Sequence, residues 1–205
     1  GIPERLISFQ NALERFSELR GKVVLVQIVV PSREDISEYQ VLKAEIERLV
    51  GEISGKFSQV GWHPVHYMFT SLEREELLAY YRAADIAVVT PLRDGMNLVA
   101  KEYCAANVDN NGVLILSEFV GAATQLRAGA LVVNPYDIED VANTIYRAYL
   151  MSPDERQSRM RRLRHSVSKR DIYWWVDFFL WAATTHSLDE PRTSRQWRYS
   201  RISGK

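Results

Sequence analysis

The sequence predicts an α/β fold in which a parallel sheet is covered by helices on both faces. Short apolar runs rich in β-branched residues alternate five times with segments that have the apolar spacing of helices. The connections between them are short, and such alternation is typical of parallel sheets wound with helices. The first apolar run, residues 22–30, shows no polar alternation, which indicates a strand buried on both faces.

The elements of the first half follow from proline placement and apolar spacing. The first helix begins near Pro3, because proline suits a first helical turn, and apolar residues then recur at helical spacing. Residues 35–54 are predicted to form a long helix with one apolar face, made of Leu42, Ile46, Leu49 and Ile53. The next predicted elements are a strand, a helix, a strand and a helix, at residues 65–69, 72–84, 86–90 and a segment ending near 106.

The second half continues the alternation. Its strands are residues 112–117 and 130–134, with a short helix between them. Asp137 is a suitable N-cap for a helix over residues 137–150, because its carboxylate can accept from the free N–H groups of the first turn. The Ser-Pro-Asp-Glu run at residues 152–155 begins another helix: serine caps, proline takes the first turn and glutamate follows the cap by three residues.

The end of the chain changes character. Residues 171–183 are rich in aromatic side chains, which indicates a helix packed on the core or on a missing domain rather than a base-stacking platform. The sequence then becomes polar and arginine-rich without periodicity, so we expect a flexible tail over residues 184–205. Because Gly1 is not preceded by an initiator Met, we expect a fragment or a processed product.

Composition excludes several functional classes. Lysine plus arginine and aspartate plus glutamate number 26 each, so no net field draws the protein to nucleic acid or to a membrane. Cys104 is the only cysteine, which excludes an internal disulfide and a cysteine-built metal site and suits a reducing, cytoplasmic compartment. No apolar run is long enough to span a bilayer.

Residues 90–103 read TPLRDGMNLVAKEY and are more polar than a simple connection between strand and helix requires. In wound α/β sheets, ligands bind beyond the carboxyl ends of the strands, where helix N-termini point. If Asn97 caps the following helix, the free N–H groups of Leu98 and Val99 form an anion pocket aided by the helix dipole. This stretch is therefore a candidate binding site.

Three other residues of this stretch suit a ligand. Gly95 lets the backbone come close to it, and Asp94 can accept hydrogen bonds from sugar hydroxyls. Glu102, one helical turn after Leu98, can accept two hydrogen bonds from a ribose. The same residues also fit an ordinary capped loop with a solvated Arg-Asp pair, so the residues alone leave both interpretations open.

Two more loops follow strands in the same way. Arg33 can meet a phosphate with two nitrogens, although most loop arginines are simply solvated. The Gly-Ala-Ala run at residues 121–123 either admits a phosphate or sugar or allows tight helix packing, and packing is favoured. The histidines lack metal-ligand spacing and no Asp-x-Asp pair follows a strand, so we expect no metal site.

Four segments occur together in one order. They read PSREDISEYQ, TPLRDGMNLVAKEY, GVLILSEFVGAA and NPYDIEDVANTI, at residues 31–40, 90–103, 112–123 and 134–145. This set closely resembles the C-terminal half of the trehalose-6-phosphate synthase family over about residues 1–182, and RDGMNLV with KEY carries most of the specificity. The resemblance implies a Rossmann-like donor-binding domain over residues 1–183, the C-terminal domain of a GT-B glycosyltransferase whose N-terminal acceptor domain is absent here.

The resemblance also implies which residues bind the nucleotide-sugar donor: Asp94, Gly95, Met96, Asn97, Leu98, Val99, Glu102, Leu72 and Leu77. The Asp94 side chain and the backbone of the next three residues would hold the donor glucose. The amides of Leu98 and Val99 would meet the diphosphate, and Glu102 would hold the ribose.

The remaining roles concern the base and the acceptor. Leu72 and Leu77 match positions that line the nucleotide base in the family. Arg33 matches an arginine that reaches across the cleft to the phosphate of the acceptor. Asp94 and Arg33 are therefore the residues that the resemblance implies to be catalytic.

The implied reaction transfers glucose from UDP-glucose, or another nucleoside-diphosphate glucose, to glucose 6-phosphate with retention of configuration and without a cofactor. A front-face route, in which the departing phosphate helps to deprotonate the acceptor, makes the protein act by orientation and charge stabilisation. The family's phosphate-binding arginine and lysine would precede Gly1. We therefore expect this chain to be inactive without the missing N-terminal half.

Alternatives remain at this point. A related synthase could use the same domain with glycerol 3-phosphate or a cyclitol phosphate as acceptor. A nucleotide-sugar-binding module without catalysis is a second alternative, and a generic phosphosugar binder is a third. The expected partners are a nucleotide sugar, a sugar phosphate and the missing half, and a homo-oligomer is also compatible with the sequence.

Overall fold

The computed structural model describes residues 1–31, 36–170 and 172–185. The chain divides into two compact units, Gly1–Val167 and Ser168–Lys205. The α/β fold and the candidate site lie in the first unit, and the last helix lies in the second. The predicted domain end at residue 183 stays a prediction.

Helices and strands alternate in the predicted order. The helices are α1 (Ile2–Arg15), α2 (Ser37–Phe57), α3 (Arg74–Ala83), α4 (Leu98–Ala106), α5 (Ala122–Leu126), α6 (Ile138–Leu150), α7 (Pro153–Lys169) and α8 (Ile172–Thr185), and a 3₁₀ turn over Ser17–Leu19 follows α1. The strands are β1 (Leu25–Val29), β2 (Val65–Phe69), β3 (Ile86–Val89), β4 (Val113–Ser117) and β5 (Leu131–Val133). Every predicted element is present, with ends that differ by a few residues.

All strand pairs are parallel, as predicted, but the hydrogen bonds divide the strands into two groups. β1 pairs with β2, and β3, β4 and β5 form a three-stranded sheet with β4 in the middle. In this sheet Ile86 lies opposite Val113, and Ile115 lies opposite Leu131. The carboxyl ends of β3, β4 and β5 therefore meet at one edge.

Helices cover both faces of β4, whose five residues are all buried. Ile115 packs into a core with α1, α2 and α6, whereas Leu116 on the opposite face packs into a second core with α4, α5 and α7. The alternating side chains of one strand thus serve two cores. The prediction of a sheet covered on both faces is confirmed at β4.

The expectation that residues 22–30 are buried on both faces is wrong for β1. Leu25 packs against the core formed with α1 and α2, but Val26, on the opposite face, is 43% exposed. An apolar run without polar alternation does not by itself require a second covering layer. The strand with that environment is β4.

Predicted helix caps are confirmed at two positions. The Asp137 carboxylate accepts a hydrogen bond from the Asp140 N–H at 2.9 Å at the start of α6. The Ser152 hydroxyl accepts one from the Glu155 N–H at 3.3 Å at the start of α7. Both helices therefore begin where capping chemistry places them.

The second unit contains the aromatic helix α8. Trp174 stacks on Phe178 with ring centroids 5.3 Å apart, and Trp175 stacks on Phe179 at 5.5 Å, each pair spaced by one helical turn. The helix reaches Thr185, slightly beyond the predicted start of the tail, and residues 186–205 lie outside the described residues. None of the helices within the described residues has the length and hydrophobicity of a transmembrane segment.

Arg5 of α1 connects β1 with the segment that follows β3. Its Nε donates to the Thr90 hydroxyl and its terminal nitrogen donates to the Gln27 side-chain oxygen, both at 3.1 Å. Thr90 and Gln27 are buried, and burial lowers the pKa of Arg5 to about 10. Within residues 1–31, 36–170 and 172–185, no carboxylate forms an ion pair with Arg5. The guanidinium is thus a partly buried cation held by neutral partners.

We predict that replacing Arg5 by methionine lowers the free energy of unfolding by about 2–3 kcal/mol, because two buried acceptors lose their donor. Urea unfolding followed by circular dichroism measures this change. The control is Arg15→Met on the same helix, where an exposed ion pair with Glu139 at 3.8 Å is lost and less than about 1 kcal/mol is expected. Equal losses for the two variants would contradict the structural role of Arg5.

Candidate functional site

Two loops lie side by side at the carboxyl edge of the three-stranded sheet. The loop over residues 90–97 joins β3 to α4, and the loop over residues 118–121 joins β4 to α5. The Gly121 N–H donates to the Asp94 carbonyl at 2.9 Å, and the Asp94 N–H donates to the Phe119 carbonyl at 3.5 Å. Because these strands are parallel neighbours, their loops form one continuous surface.

The Asp94 side chain organises the 90–97 loop. Its Oδ1 accepts hydrogen bonds from the N–H groups of Met96 and Asn97, and its Oδ2 accepts one from the Asn97 amide nitrogen, each at 3.0 Å. A carboxylate offers about four acceptor positions. Three of them are used within the loop, which leaves one acceptor position on Oδ2.

Asn97 ends this loop and caps α4, which is the condition for the anion pocket considered from the sequence. Its side-chain oxygen accepts a hydrogen bond from the Ala100 N–H at 2.9 Å, so Asn97 is the N-cap. Its backbone has φ of 59°, the left-handed region that asparagine adopts more readily than most residues. The side chain is 7% exposed, so the cap is a buried structural contact.

The first turn of α4 presents free N–H groups at the sheet edge. An α-helix leaves its first N–H groups without helical partners, and here Asn97 satisfies only that of Ala100. Among the described residues, no acceptor contacts the N–H groups of Leu98 and Val99, whose side chains are exposed. Two donors and the positive end of the helix dipole are therefore available to an anion.

Two of the implied sugar-binding amides are already engaged. The Met96 and Asn97 N–H groups donate to Asp94, so any further contact from these residues uses their carbonyl oxygens. No acceptor in the described ranges meets the N–H of Gly95, which is exposed. Of Gly95, Met96 and Asn97, it is therefore Gly95 whose backbone N–H can donate to a ligand.

The loops touch at Gly121 and Gly95. A methyl group added at Gly121 would overlap the carbonyl of Gly95, whereas one added at Gly95 would meet open space. Ala122 and Ala123, which follow Gly121, are both 3% exposed and belong to the second core. The packing interpretation of residues 121–123 therefore fits the structure.

Glu102 lies one turn below the start of α4 and faces α3. Its Oε2 accepts a hydrogen bond from the hydroxyl of Tyr81 at 3.1 Å. Leu77 precedes Tyr81 by one helical turn and so shares its side of α3, while Leu72 lies just before the helix. Both leucines are partly buried. The predicted base-lining residues and the predicted ribose-binding residue thus belong to neighbouring helices.

Sequence reasoning missed Arg5, the pairing of Gly121 with Gly95, and Tyr81. The inward-facing position of Arg5 could have been predicted from the sequence, because Arg5 lies on the same face of α1 as the apolar residues Phe9 and Leu13. The other two contacts join separate elements, so the spacing of residues within one element does not predict them. Arg33, predicted to meet the acceptor phosphate, lies outside the described residues.

The domain has free helix N–H groups, the hydrogen-bonded carboxylate of Asp94 and a second carboxylate, Glu102, at one edge of the sheet. These features define the class of nucleotide- and phosphosugar-binding α/β domains. Comparison with known proteins makes this class specific. Glycosyltransferase family 20 matches residues 1–184, and the chain belongs to this family. The resemblance to trehalose-6-phosphate synthases is thereby confirmed.

Two curated relatives illustrate the match. The alpha,alpha-trehalose-phosphate synthase (UDP-forming) A of Dictyostelium discoideum is 46% identical over 175 residues, which cover 85% of this chain and 24% of that protein. The glucosylglycerol-phosphate synthase of Pseudomonas anguilliseptica is 46% identical over 186 residues, which cover 90% of this chain and 24% of that protein. The chain thus spans about a quarter of the length of these two relatives.

Solved structures agree in fold. An E. coli trehalose-6-phosphate structure bound with UDP-2-fluoro glucose superposes with a TM-score of 0.85 at 44% identity, covering 88% of this chain and 40% of that one. An alpha,alpha-trehalose-phosphate synthase (UDP-forming) from Burkholderia xenovorans in complex with glucose-6-phosphate gives 0.85 at 42% identity, with coverages of 88% and 40%. The predicted fold, the Rossmann-like C-terminal domain of a GT-B glycosyltransferase, is confirmed.

We predict that Asn97→Ala lowers the free energy of unfolding by about 2–3 kcal/mol, because the cap is lost and alanine is strained at a left-handed φ. Asn97→Gly loses the cap without that strain, so about 1 kcal/mol or less is expected. Paired urea titrations measure the difference. A larger loss for glycine than for alanine would show that backbone strain does not govern this position.

We also predict that Gly121→Ala lowers the free energy of unfolding by about 1–3 kcal/mol, because its methyl group displaces the backbone at Gly95. Gly95→Ala is the matched control and is expected to stay within about 0.5 kcal/mol of the parent chain. Thermal and urea unfolding of both variants provide the test. Similar stabilities for the two variants would contradict the close contact between the loops.

Proposed function

We propose that the chain is the donor-binding half of a retaining glucosyltransferase. In the proposed reaction, glucose passes from UDP-glucose, or another nucleoside-diphosphate glucose, to glucose 6-phosphate and gives trehalose 6-phosphate. The observation that carries the proposal is the free N-terminal turn of α4 beside Asp94, in a chain that belongs to glycosyltransferase family 20. The names of the matched synthases and the two ligands in the matched structures support the same substrates.

The diphosphate binds at the start of α4. The N–H groups of Leu98 and Val99 donate to phosphate oxygens, and the helix dipole adds favourable potential there. These donors are fixed by the Asn97 cap, so they need no reorganisation when the leaving group gains charge. We expect no metal ion in this role, because the N–H groups share it with basic side chains that we assign to the proposed N-terminal half.

The donor sugar binds against the 90–97 loop. The remaining acceptor position on Asp94 Oδ2 takes one sugar hydroxyl, and the Gly95 N–H can donate to a sugar oxygen. Carbonyl oxygens of Met96 and Asn97 complete the contacts. A single aspartate thus shapes the loop and also contacts the ligand.

The nucleoside lies between α3 and α4. The Glu102 carboxylate accepts hydrogen bonds from the ribose, while Leu72 and Leu77 line the base. The hydrogen bond between Tyr81 and Glu102 supports this placement, because it brings the two helices together at the level of Glu102.

The hydrogen bonds that hold the Asp94 carboxylate favour a front-face route over a covalent intermediate. Three hydrogen bonds hold its carboxylate, and such bonds stabilise the anion and reduce its nucleophilicity. The departing phosphate then helps to deprotonate the acceptor, whose own phosphate is assigned to Arg33. Orientation and charge stabilisation carry the reaction.

The acceptor and the second half of the site come from beyond these residues. We assign acceptor binding mainly to an N-terminal half, since the matched proteins are much longer than this chain. One relative is a glucosylglycerol-phosphate synthase, which keeps a glycerol phosphate acceptor as the second candidate. A non-catalytic nucleotide-sugar-binding module would retain the same donor contacts without turnover.

Calorimetry on the 205-residue chain with UDP, GDP and ADP tests donor binding, and we expect UDP to bind. Asp94→Ala should weaken UDP-glucose binding about tenfold more than UDP binding, because only the former loses a sugar contact. A shift of the start of α4 would weaken both ligands equally, because both carry the diphosphate, and so is separated by this ratio.

Asp109→Ala is the matched control, since Asp109 forms an exposed ion pair with Arg82 at 3.1 Å. It should leave both affinities unchanged. Absence of binding to all three nucleotides would refute the donor-domain proposal. An equal loss for UDP and UDP-glucose in Asp94→Ala would refute the sugar contact of Asp94.

A further inference from the structure

The contact between α3 and α4 pairs a fixed hydroxyl with an exposed carboxylate. The ring of Tyr81 packs against the second core, which also contains Tyr103 and Cys104 of α4. Its hydroxyl donates to Glu102 Oε2 at 3.1 Å, while Glu102 itself is exposed. The donor is thus anchored in the fold, and the acceptor is the more exposed partner.

Tyr81 is suited to be a permanent donor. Burial raises the pKa of Tyr81, and the nearby negative charge of Glu102 raises it further, so the phenol keeps its proton at physiological pH. A half-buried tyrosine hydroxyl needs a hydrogen-bond partner. Among the described residues, Glu102 fills that place.

The hydrogen bond fixes one oxygen of Glu102 and leaves the other available. With Oε2 held by Tyr81, Oε1 and the remaining position on Oε2 can still accept. An exposed glutamate otherwise samples many rotamers, and a ligand would have to select one of them. The contact therefore preorganises the carboxylate before a ligand arrives.

We propose that Tyr81 is a positioning residue that orients the Glu102 carboxylate towards the ribose hydroxyls of a bound nucleoside diphosphate. This inference rests on the proposed function, in which Glu102 binds the ribose. Tyr81 touches Glu102 and not the reacting atoms, so it affects donor recognition rather than chemistry. Its consequence is discrimination between ribonucleotides and nucleotides that lack ribose hydroxyls.

The test compares two ligands and four variants of the 205-residue chain. UDP carries both ribose hydroxyls, and 2′,3′-dideoxyuridine 5′-diphosphate lacks them. Tyr81→Phe keeps the packed ring and removes only the hydroxyl. We expect it to weaken UDP binding about fivefold, the effect of one hydrogen bond, and to leave binding of the dideoxy analogue unchanged.

Tyr80→Phe is the matched control on the same helix. The Tyr80 hydroxyl contacts the sulfur of Met68 at 3.8 Å and is separate from the contact between Tyr81 and Glu102. Its removal should change neither affinity. Thermal unfolding of each variant excludes a general loss of structure as the cause of weaker binding.

Glu102→Ala closes a double-mutant cycle with Tyr81→Phe. Once Glu102 is alanine, loss of the Tyr81 hydroxyl should have no further effect on UDP affinity. The inference would be overturned if Tyr81→Phe left UDP affinity unchanged, or if it weakened both ligands equally. In either case, UDP binding by the parent chain would still support the proposed function. If the parent chain binds neither ligand, both proposals fall.

Discussion

The hydrogen bonds of the Asp94 carboxylate determine the geometry of the candidate site. They fold residues 94–97 into a closed turn and hold the backbone of Asn97 in the left-handed region. Asn97 in turn caps α4, so the direction of that helix and its free N–H groups depend on the turn. The backbone of Asp94 is also bonded to the neighbouring 118–121 loop through Phe119 and Gly121. One residue therefore connects loop shape, helix start and sheet edge.

This turn rests on a framework made rigid by burial. β4 supplies side chains to both cores, so it cannot shift without disturbing the helices on either face. Arg5 adds a polar connection between Gln27 of β1 and Thr90 at the start of the 90–97 loop. Thr90 and Gln27 are buried, so it is costly to leave them without this donor. The loop is thus fixed at both ends, by Arg5 at Thr90 and by the cap at Asn97.

Local chemistry made most of the fold predictable from the sequence. Apolar spacing identified the strands and helices, and side-chain caps identified the starts of α4, α6 and α7. The environment of β1 was mispredicted, because an apolar run reports hydrophobicity and not the layers around it. Within the site, the polar stretch and its cap were predicted, but the contact of Tyr81 with Glu102 was not. Contacts between elements depend on packing, which local spacing does not encode.

The partial positive charge at a helix N-terminus is too small to stabilise a leaving diphosphate without cationic side chains. The start of an α-helix carries about half an elementary charge, and its interaction with an anion is worth about 0.3–2 kcal/mol. In the proposed reaction a leaving diphosphate gains negative charge, and the N–H groups of Leu98 and Val99 neutralise only part of it. Cationic side chains must supply the rest, since charge-assisted bonds are about twice as strong as neutral ones. Arg5 is engaged by Thr90 and Gln27, so it serves the framework. We therefore assign the remaining charge to cationic side chains of the proposed N-terminal half, while Arg33 stays assigned to the phosphate of the acceptor.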